Sequence, residues 1–319
     1  MLKTASLLGI APYSSLNTPW SNGEINHLKC SLGEIAASAC REEVMLSPKP
    51  GLVDPDHCGH HQDMDIVTFL KSADALAPHW KEQARIGLRE DNPKNIMPQL
   101  RARGILMENS MFSATDGVNT HKGLIYALSI LLAAASLACR LRQVTPREIC
   151  ALASEIAGES SLCELDDLSR NTLKRPLTHG EHLFRKHGIR GIRGEVADAF
   201  PSIRQEGLPA LMDVLQRGGA RKDAALFALL KIMRRCEDSN VIHRGGLEYW
   251  KGEYRNSVDE TLADFDPLNP KDYAPLLRLQ QQFKQRKISP GGAADLLACT
   301  LFLYDFMNSL SLLKQCSNI

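Results

Sequence analysis

The sequence predicts an all-α protein: a single compact multi-helix domain with its active site built from helix termini and loops. Three observations carry that expectation. Apolar residues recur at steps of three and four over most of the chain. No run of alternating β-branched residues is bounded by hairpin turns. Pro, Gly, Ser and Asn gather in short stretches between the periodic segments, where they stop helices.

Residues 1–23 are rich in Ser, Asn, Pro and Gly and read as a loose N-terminal extension, leaving 24–319 as the catalytic domain. From Glu24 to Leu46, the residues Leu28, Leu32, Ile35, Ala36 and Ala39 form one helical stripe, which Ser47-Pro48-Lys49-Pro50-Gly51 stops. A loop to about Gln62 precedes a second helix, with Ile66, Phe69, Leu70 and Ala73 facing inward and an end near Pro78. Further helices are expected at about 94–111, 118–140, 146–163, 178–187, 207–217, 220–236, 243–261, 271–286 and 291–314. Thr145-Pro146-Arg147-Glu148 is a helix start, with Thr as N-cap, Pro at N1 and Glu at N3. Ser289-Pro290 is read as another N-cap and N1 pair, opening the last helix.

Composition removes several classes of function. With 38 Lys+Arg against 37 Asp+Glu, the net charge is +1, so no broad basic field exists for coating nucleic acid. Nine cysteines without a CxxC pair argue against a zinc ribbon or a secreted disulfide framework. The short apolar start is broken by Pro12 and is no signal peptide. The most apolar run, Leu124 to Ala138, falls short of a membrane span. A cytoplasmic protein with no membrane partner is expected.

Five stretches gather Gly, Pro, Asp, Asn, His, Lys and Arg in a way plain helix packing does not need. In 42–54 a helix ends in acids and runs into a rigid Pro-Lys-Pro-Gly turn suited to holding a lysine on a phosphate. In 59–65, Asp63 and Asp65 stand at a helix start, where each can cap backbone or bind a hard cation such as Mg²⁺. In 115–123, Asn119 and Lys122 share the first turn of a helix whose free N–H groups favour an anion. Gly188 to Glu195 reads as a flexible basic loop. Asp238, Asn240 and Arg244, with the later Ser289-Pro290-Gly291-Gly292, add oxygen ligands and a forked phosphate contact.

Taken in order, these strings resemble the triphosphoribosyl-dephospho-coenzyme A synthase family: Pro48-Lys49-Pro50-Gly51-Leu52-Val53-Asp54, Gly59-x-His61-x-Asp63-Met64-Asp65, Gly117-Val118-Asn119-Thr120-His121-Lys122-Gly123, Gly191-x-Arg193-Gly194-Glu195, Asp238-x-Asn240 with Arg244-Gly245-Gly246, and Ser289-Pro290-Gly291-Gly292-x-Ala294-Asp295. The resemblance covers about residues 25 to 305. It implies that ATP and 3′-dephospho-coenzyme A are joined with release of adenine. The product would be the prosthetic-group precursor for the acyl carrier subunit of citrate lyase or malonate decarboxylase, attached by a separate transferase. The bond broken is N-glycosidic, so an oxocarbenium-like ribose develops and a nearby carboxylate can stabilise it. The hydroxyl nucleophile needs a base, and the retained triphosphate must be held rather than hydrolysed. Within that expectation Mg²⁺ falls to Asp63 with Asp65 or Asp238. Lys49, Lys122, Arg193 and Arg244 form a triphosphate clamp, and Asn119, Thr120, Ser289, Gly291 and Gly292 line the nucleotide. Glu43 is a candidate base or oxocarbenium stabiliser, and His121 a second acid–base candidate because an ordinary imidazole titrates near neutrality. The alternative is a metal-dependent helical hydrolase of an ADP-ribosyl or nucleotide N-glycosidic bond, using the same aspartates.

Overall fold

A computed structural model describes the backbone of residues 22–141, 144–170, 177–271 and 273–316, and the extension expected at 1–23 lies outside it up to residue 21. Every regular element among the described residues is helical. Helix α1 (Asn22–Met45) packs along α2 (Ile66–Arg89), and α2 packs on α3 (Ile96–Ala114) and α4 (Lys122–Leu141). Then follow α5 (Pro146–Arg170), α6 (His179–His187), α7 (Gly191–Ala197), α8 (Leu208–Gln216), α9 (Arg221–Arg235) and α10 (Ser239–Gly245). The single turn α11 (Leu247–Tyr249) runs through a π-turn into α12 (Arg255–Asp264), before α13 (Ala274–Gln285) and the long α14 (Gly291–Cys316). Helix α14 lies against α1, α4 and α9 and closes the core.

Helix α4 is the axis of this core. Every residue from Ala127 to Cys139 is buried. The run expected to fall short of a membrane span lies in a helix that by length and composition could cross one, yet 83% of its apolar window is covered by the protein. A helix apolar all round is the kind that goes to the centre of a helical protein. Close approach is built in by small residues: a Cβ on Gly87 of α2 would stand 2.1 Å from the Ala133 carbonyl oxygen of α4. The seven cysteines whose side chains are described are free, and Cys40, Cys139, Cys150, Cys236 and Cys299 are buried as small apolar groups.

Three expectations are corrected. Helix α2 continues through Pro78 to Arg89. Beyond the proline, Trp80, Ala84 and Leu88 bury completely or nearly so. That burial, on the order of 1.5–3 kcal/mol for each large side chain, offsets the backbone bond a proline removes. The basic stretch at 188–195 is not a flexible loop: it holds the helix α7, fixed by buried Glu195, which accepts the Ser202 hydroxyl and N–H. The helix expected over 243–261 is broken at Gly246, whose φ of 88° and ψ of 162° no helix permits.

Candidate active site

The end of α1 and the turn after it make one buried polar unit. Glu43 and Lys49 are 4% and 2% exposed, and Lys49 Nζ stands 2.7 Å from both Glu43 Oε1 and the Glu43 carbonyl oxygen. The turn is tied by Asp54, buried among backbone donors: it accepts N–H groups from Lys49 at 2.8 Å, Asp56 at 2.9 Å and His57 at 2.8 Å. Gly51, with φ 76°, fits against the Ile288 carbonyl, 2.7 Å from where its Cβ would be. The turn therefore rests on the segment leading into α14. Lys49, expected to hold a phosphate, is committed here to Glu43.

The two aspartates before α2 separate. Asp65 Oδ1 accepts the Thr68 N–H and hydroxyl, both at 2.8 Å, in a capping box. Asp63 stays exposed, with His61 Nδ1 3.7 Å away. Burial is the main cause that lowers the His61 pKa, and its Nε2 meets the Ser289 hydroxyl at 3.1 Å.

At the start of α4, Asn119 accepts the Lys122 N–H at 3.2 Å and Lys122 Nζ pairs with Glu108 at 3.0 Å near the surface. Thr120 donates to Ser72 Oγ at 2.7 Å, and Ser72 Oγ lies 2.7 Å from His121 Nδ1. His121 is 2% exposed, with Phe69 edge-on to its ring. Burial, with Lys49 nearby, pushes its pKa down to about 3, so the near-neutral titration expected of it is corrected: the ring stays neutral and holds position. Next along, a Cβ on Gly123 would lie 2.1 Å from Asp295 Oδ2. Asp295, one turn into α14, also accepts a backbone hydrogen bond from Leu124. Burial drives its carboxyl well above the usual range, and repulsion from Glu43 and Asp238 adds to the effect.

Asp238 joins two helix starts. One oxygen accepts Asn240 N–H at 2.9 Å and Val241 N–H at 3.3 Å, capping α10. The other accepts Ala293 N–H at 3.0 Å, and Gly292 adds a further bond. Asp238 thus supplies the cap of α14 that the sequence reading gives to Ser289. It is 1% exposed, and burial raises its pKa to about 6. Gly291 and Gly292 admit this approach: a Cβ on Gly291 would meet Asn240 Nδ2 at 2.7 Å. Arg244 donates to His60 Nε2, and burial lowers the His60 pKa to about 4, which keeps that ring an acceptor. Gly191, opening α7, lies beside Ser239, and Arg193 follows it half-buried on the same short helix.

The expected Mg²⁺ set does not assemble. Asp65 and Asp238 spend their oxygens on capping, and among the described residues no group of three His, Cys, Asp or Glu side chains could hold a metal ion. What does assemble is a junction of α1, α4, α10 and α14, where Glu43 and Asp238 each repel the charged form of the buried Asp295. Sequence reasoning left Asp54, Ser72 and Asp295 without roles. Asp54 and Asp295 sit inside the motif strings, a signal that was present; Ser72 carries none, because its partners Thr120 and His121 lie 48 and 49 residues away.

This junction is built from the strings that carry the family resemblance, and independent comparisons agree. Residues 29–313 match the family model described as CitG: ATP:dephospho-CoA triphosphoribosyl transferase. A probable 2-(5″-triphosphoribosyl)-3′-dephosphocoenzyme-A synthase of Streptococcus mutans serotype c is 38% identical over 291 residues, covering 88% of this chain and 97% of the relative. The 2-(5″-triphosphoribosyl)-3′-dephosphocoenzyme-A synthase of Pectobacterium atrosepticum is 38% identical over 276 residues, 85% of this chain and 87% of its own. A probable synthase of the same name from Vibrio cholerae serotype O1 is 34% identical over 281 residues, 86% and 88% of the two chains. No solved structure matches significantly. Neither comparison supports the hydrolase alternative. The chain belongs to the ATP:dephospho-CoA triphosphoribosyl transferase family.

Proposed function

We infer that this chain moves the 5-triphosphoribosyl unit of ATP onto 3′-dephospho-coenzyme A. The 2′-hydroxyl oxygen of dephospho-coenzyme A bonds to C1 of the ATP ribose. The C1–N9 bond breaks, its electron pair leaves with adenine, and the hydroxyl proton passes to a base while adenine takes up a proton. The observation that carries this reading is the acid-lined junction of α1, α4, α10 and α14, with Lys122, Arg193 and Arg244 borne on the segments that meet there or beside it. Carboxylates suit the positive ribose of the transition state, and guanidinium and ammonium groups suit a retained triphosphate.

Within this reading Glu43 stabilises the oxocarbenium or takes the hydroxyl proton, its place fixed by Lys49. Asp295, whose carboxyl burial pushes well above the usual range, is the group assigned to protonate adenine. His121 positions the start of α4 through Ser72. Mg²⁺ fits as a passenger of the triphosphate rather than a resident of a protein cage, since Mg²⁺ is often held by one or two carboxylates plus phosphates. Asp63 is the carboxylate not spent on a cap and so the one that would hold it; the ion would neutralise phosphate charge. The product would pass to a transferase that loads the acyl carrier protein of citrate lyase or malonate decarboxylase, in the cytoplasm. The test is mass analysis after incubation with ATP, Mg²⁺ and dephospho-coenzyme A. The expected product is the triphosphoribosyl adduct with all three phosphates; an adduct lacking phosphates, or none, would refute the assignment.

A further inference from the structure

Outside the junction, helices α6 and α10 enclose a groove of about 520 Å³. His182, Arg185, Lys186 and His187 line it from α6, and His243 lines it from α10. Leu183, Ile242 and Leu247 give it an apolar floor. The basic residues in the last turn of α6 complement its helix dipole, which explains their sign. It does not explain the facing His243, stacked on His179 with ring centroids 3.7 Å apart. Nor does it explain why, among the described residues, no carboxylate pairs with Arg185 or Lys186. A groove of this size with charge on its walls and some apolar lining fits a ligand that is anionic at one point and carries an arm of mixed apolar and amide character.

We propose that this groove binds the diphosphate and pantetheine arm of dephospho-coenzyme A. The proposal rests on the function inferred above and assigns the second substrate its place. The diphosphate would meet Arg185 and Lys186 by charge-assisted hydrogen bonds, while the arm lies over Leu183, Ile242 and Leu247. ATP is the poorer occupant, because nothing extends beyond its triphosphate to cover Leu183, Ile242 and Leu247. Helix α10 links the two places: Asp238 caps its start at the junction, and Ile242 and His243 line the groove. A substrate held in the groove therefore has its adenosine end available to the junction.

The full chain and its Arg185→Glu/Lys186→Glu variant are compared by calorimetry with dephospho-coenzyme A and, separately, with Mg·ATP. Both side chains are exposed, so the fold should survive. The milder Arg185→Gln/Lys186→Gln variant guards against a change in helix stability. Dephospho-coenzyme A affinity should fall at least tenfold in the charge-reversed variant and less in the neutral one, with ATP affinity within twofold of wild type. Unchanged dephospho-coenzyme A affinity, or an equal loss for ATP, would overturn the groove assignment. Failure of the wild type itself to bind dephospho-coenzyme A would instead overturn the function on which it rests.

Discussion

Asp295 Oδ2 lies 2.1 Å from the point where a side chain on Gly123 would begin. The two residues lock the N-terminal part of α14 against the first turn of α4, and no larger residue fits at 123 without moving one of them. Gly123→Ala should therefore displace the Asp295 carboxyl and its bond from Leu124. We expect a loss of about 1–3 kcal/mol in urea unfolding, as for overpacking elsewhere, and a fall in turnover of about a hundredfold or more. A variant with wild-type turnover would show that Asp295 does not need this position.

Glu43 and Lys49 call for a double-variant cycle. Lys49→Met leaves a buried carboxylate alone, and Glu43→Gln leaves a buried ammonium alone; removal of one partner costs about 3–5 kcal/mol. The double variant should recover much of that stability, since neither charge is stranded. Activity should stay lost, because the carboxylate facing Asp295 is gone. Recovery of both stability and turnover would make the pair purely structural.

Asp63 and Asp65 should behave differently despite their spacing. Asp65→Ala removes the α2 cap and should cost about 0.5–2 kcal/mol of stability with turnover largely kept. Asp63→Asn should leave melting unchanged and raise the Mg²⁺ concentration needed for half-maximal rate. Identical Mg²⁺ dependence in wild type and Asp63→Asn would remove Asp63 from the metal's surroundings.

Two buried groups push the pH dependence of stability in opposite directions. The His121 pKa falls from 6.5 to about 3 on folding, so its contribution is present above pH 6.5 and lost as pH drops toward 3. The Asp238 pKa rises from 3.8 to about 6, so its contribution is present below 3.8 and lost as pH climbs through 6. Between those limits the two slopes oppose each other, each close to ~1.4 kcal/mol per pH unit. His121→Gln should make the slope of unfolding free energy between pH 4 and 6 more negative by about that amount. Urea titrations at several pH values read it directly, and an unaltered slope would mean His121 titrates normally.

Local signals were readable and distant ones were not. Thr145 and Glu148 pair as the sequence pattern requires, with the hydroxyl 2.7 Å from Glu148 Oε2, because a capping box involves only four successive residues. The cap of α14 could not be read locally, since its donor is answered by Asp238, 55 residues earlier. Pro78 misled for a related reason: a propensity rule meets the burial of Trp80 and Leu88, and burial wins. The motif strings supply most of the residues of the junction. Which member caps, which pairs and which faces the reactants depends on contacts such as Gly123 with Asp295, which no spacing along the chain reveals.

The central claim is that ribosyl transfer to dephospho-coenzyme A, not hydrolysis, breaks the N-glycosidic bond of ATP. The measurement that tests it most directly is the rate of adenine release with and without dephospho-coenzyme A, with ADP and phosphate followed in the same reaction. Adenine should appear only when dephospho-coenzyme A is present, mole for mole with its consumption, and neither ADP nor phosphate should form. Adenine released at the same rate without dephospho-coenzyme A, or accompanied by equal phosphate, would contradict it.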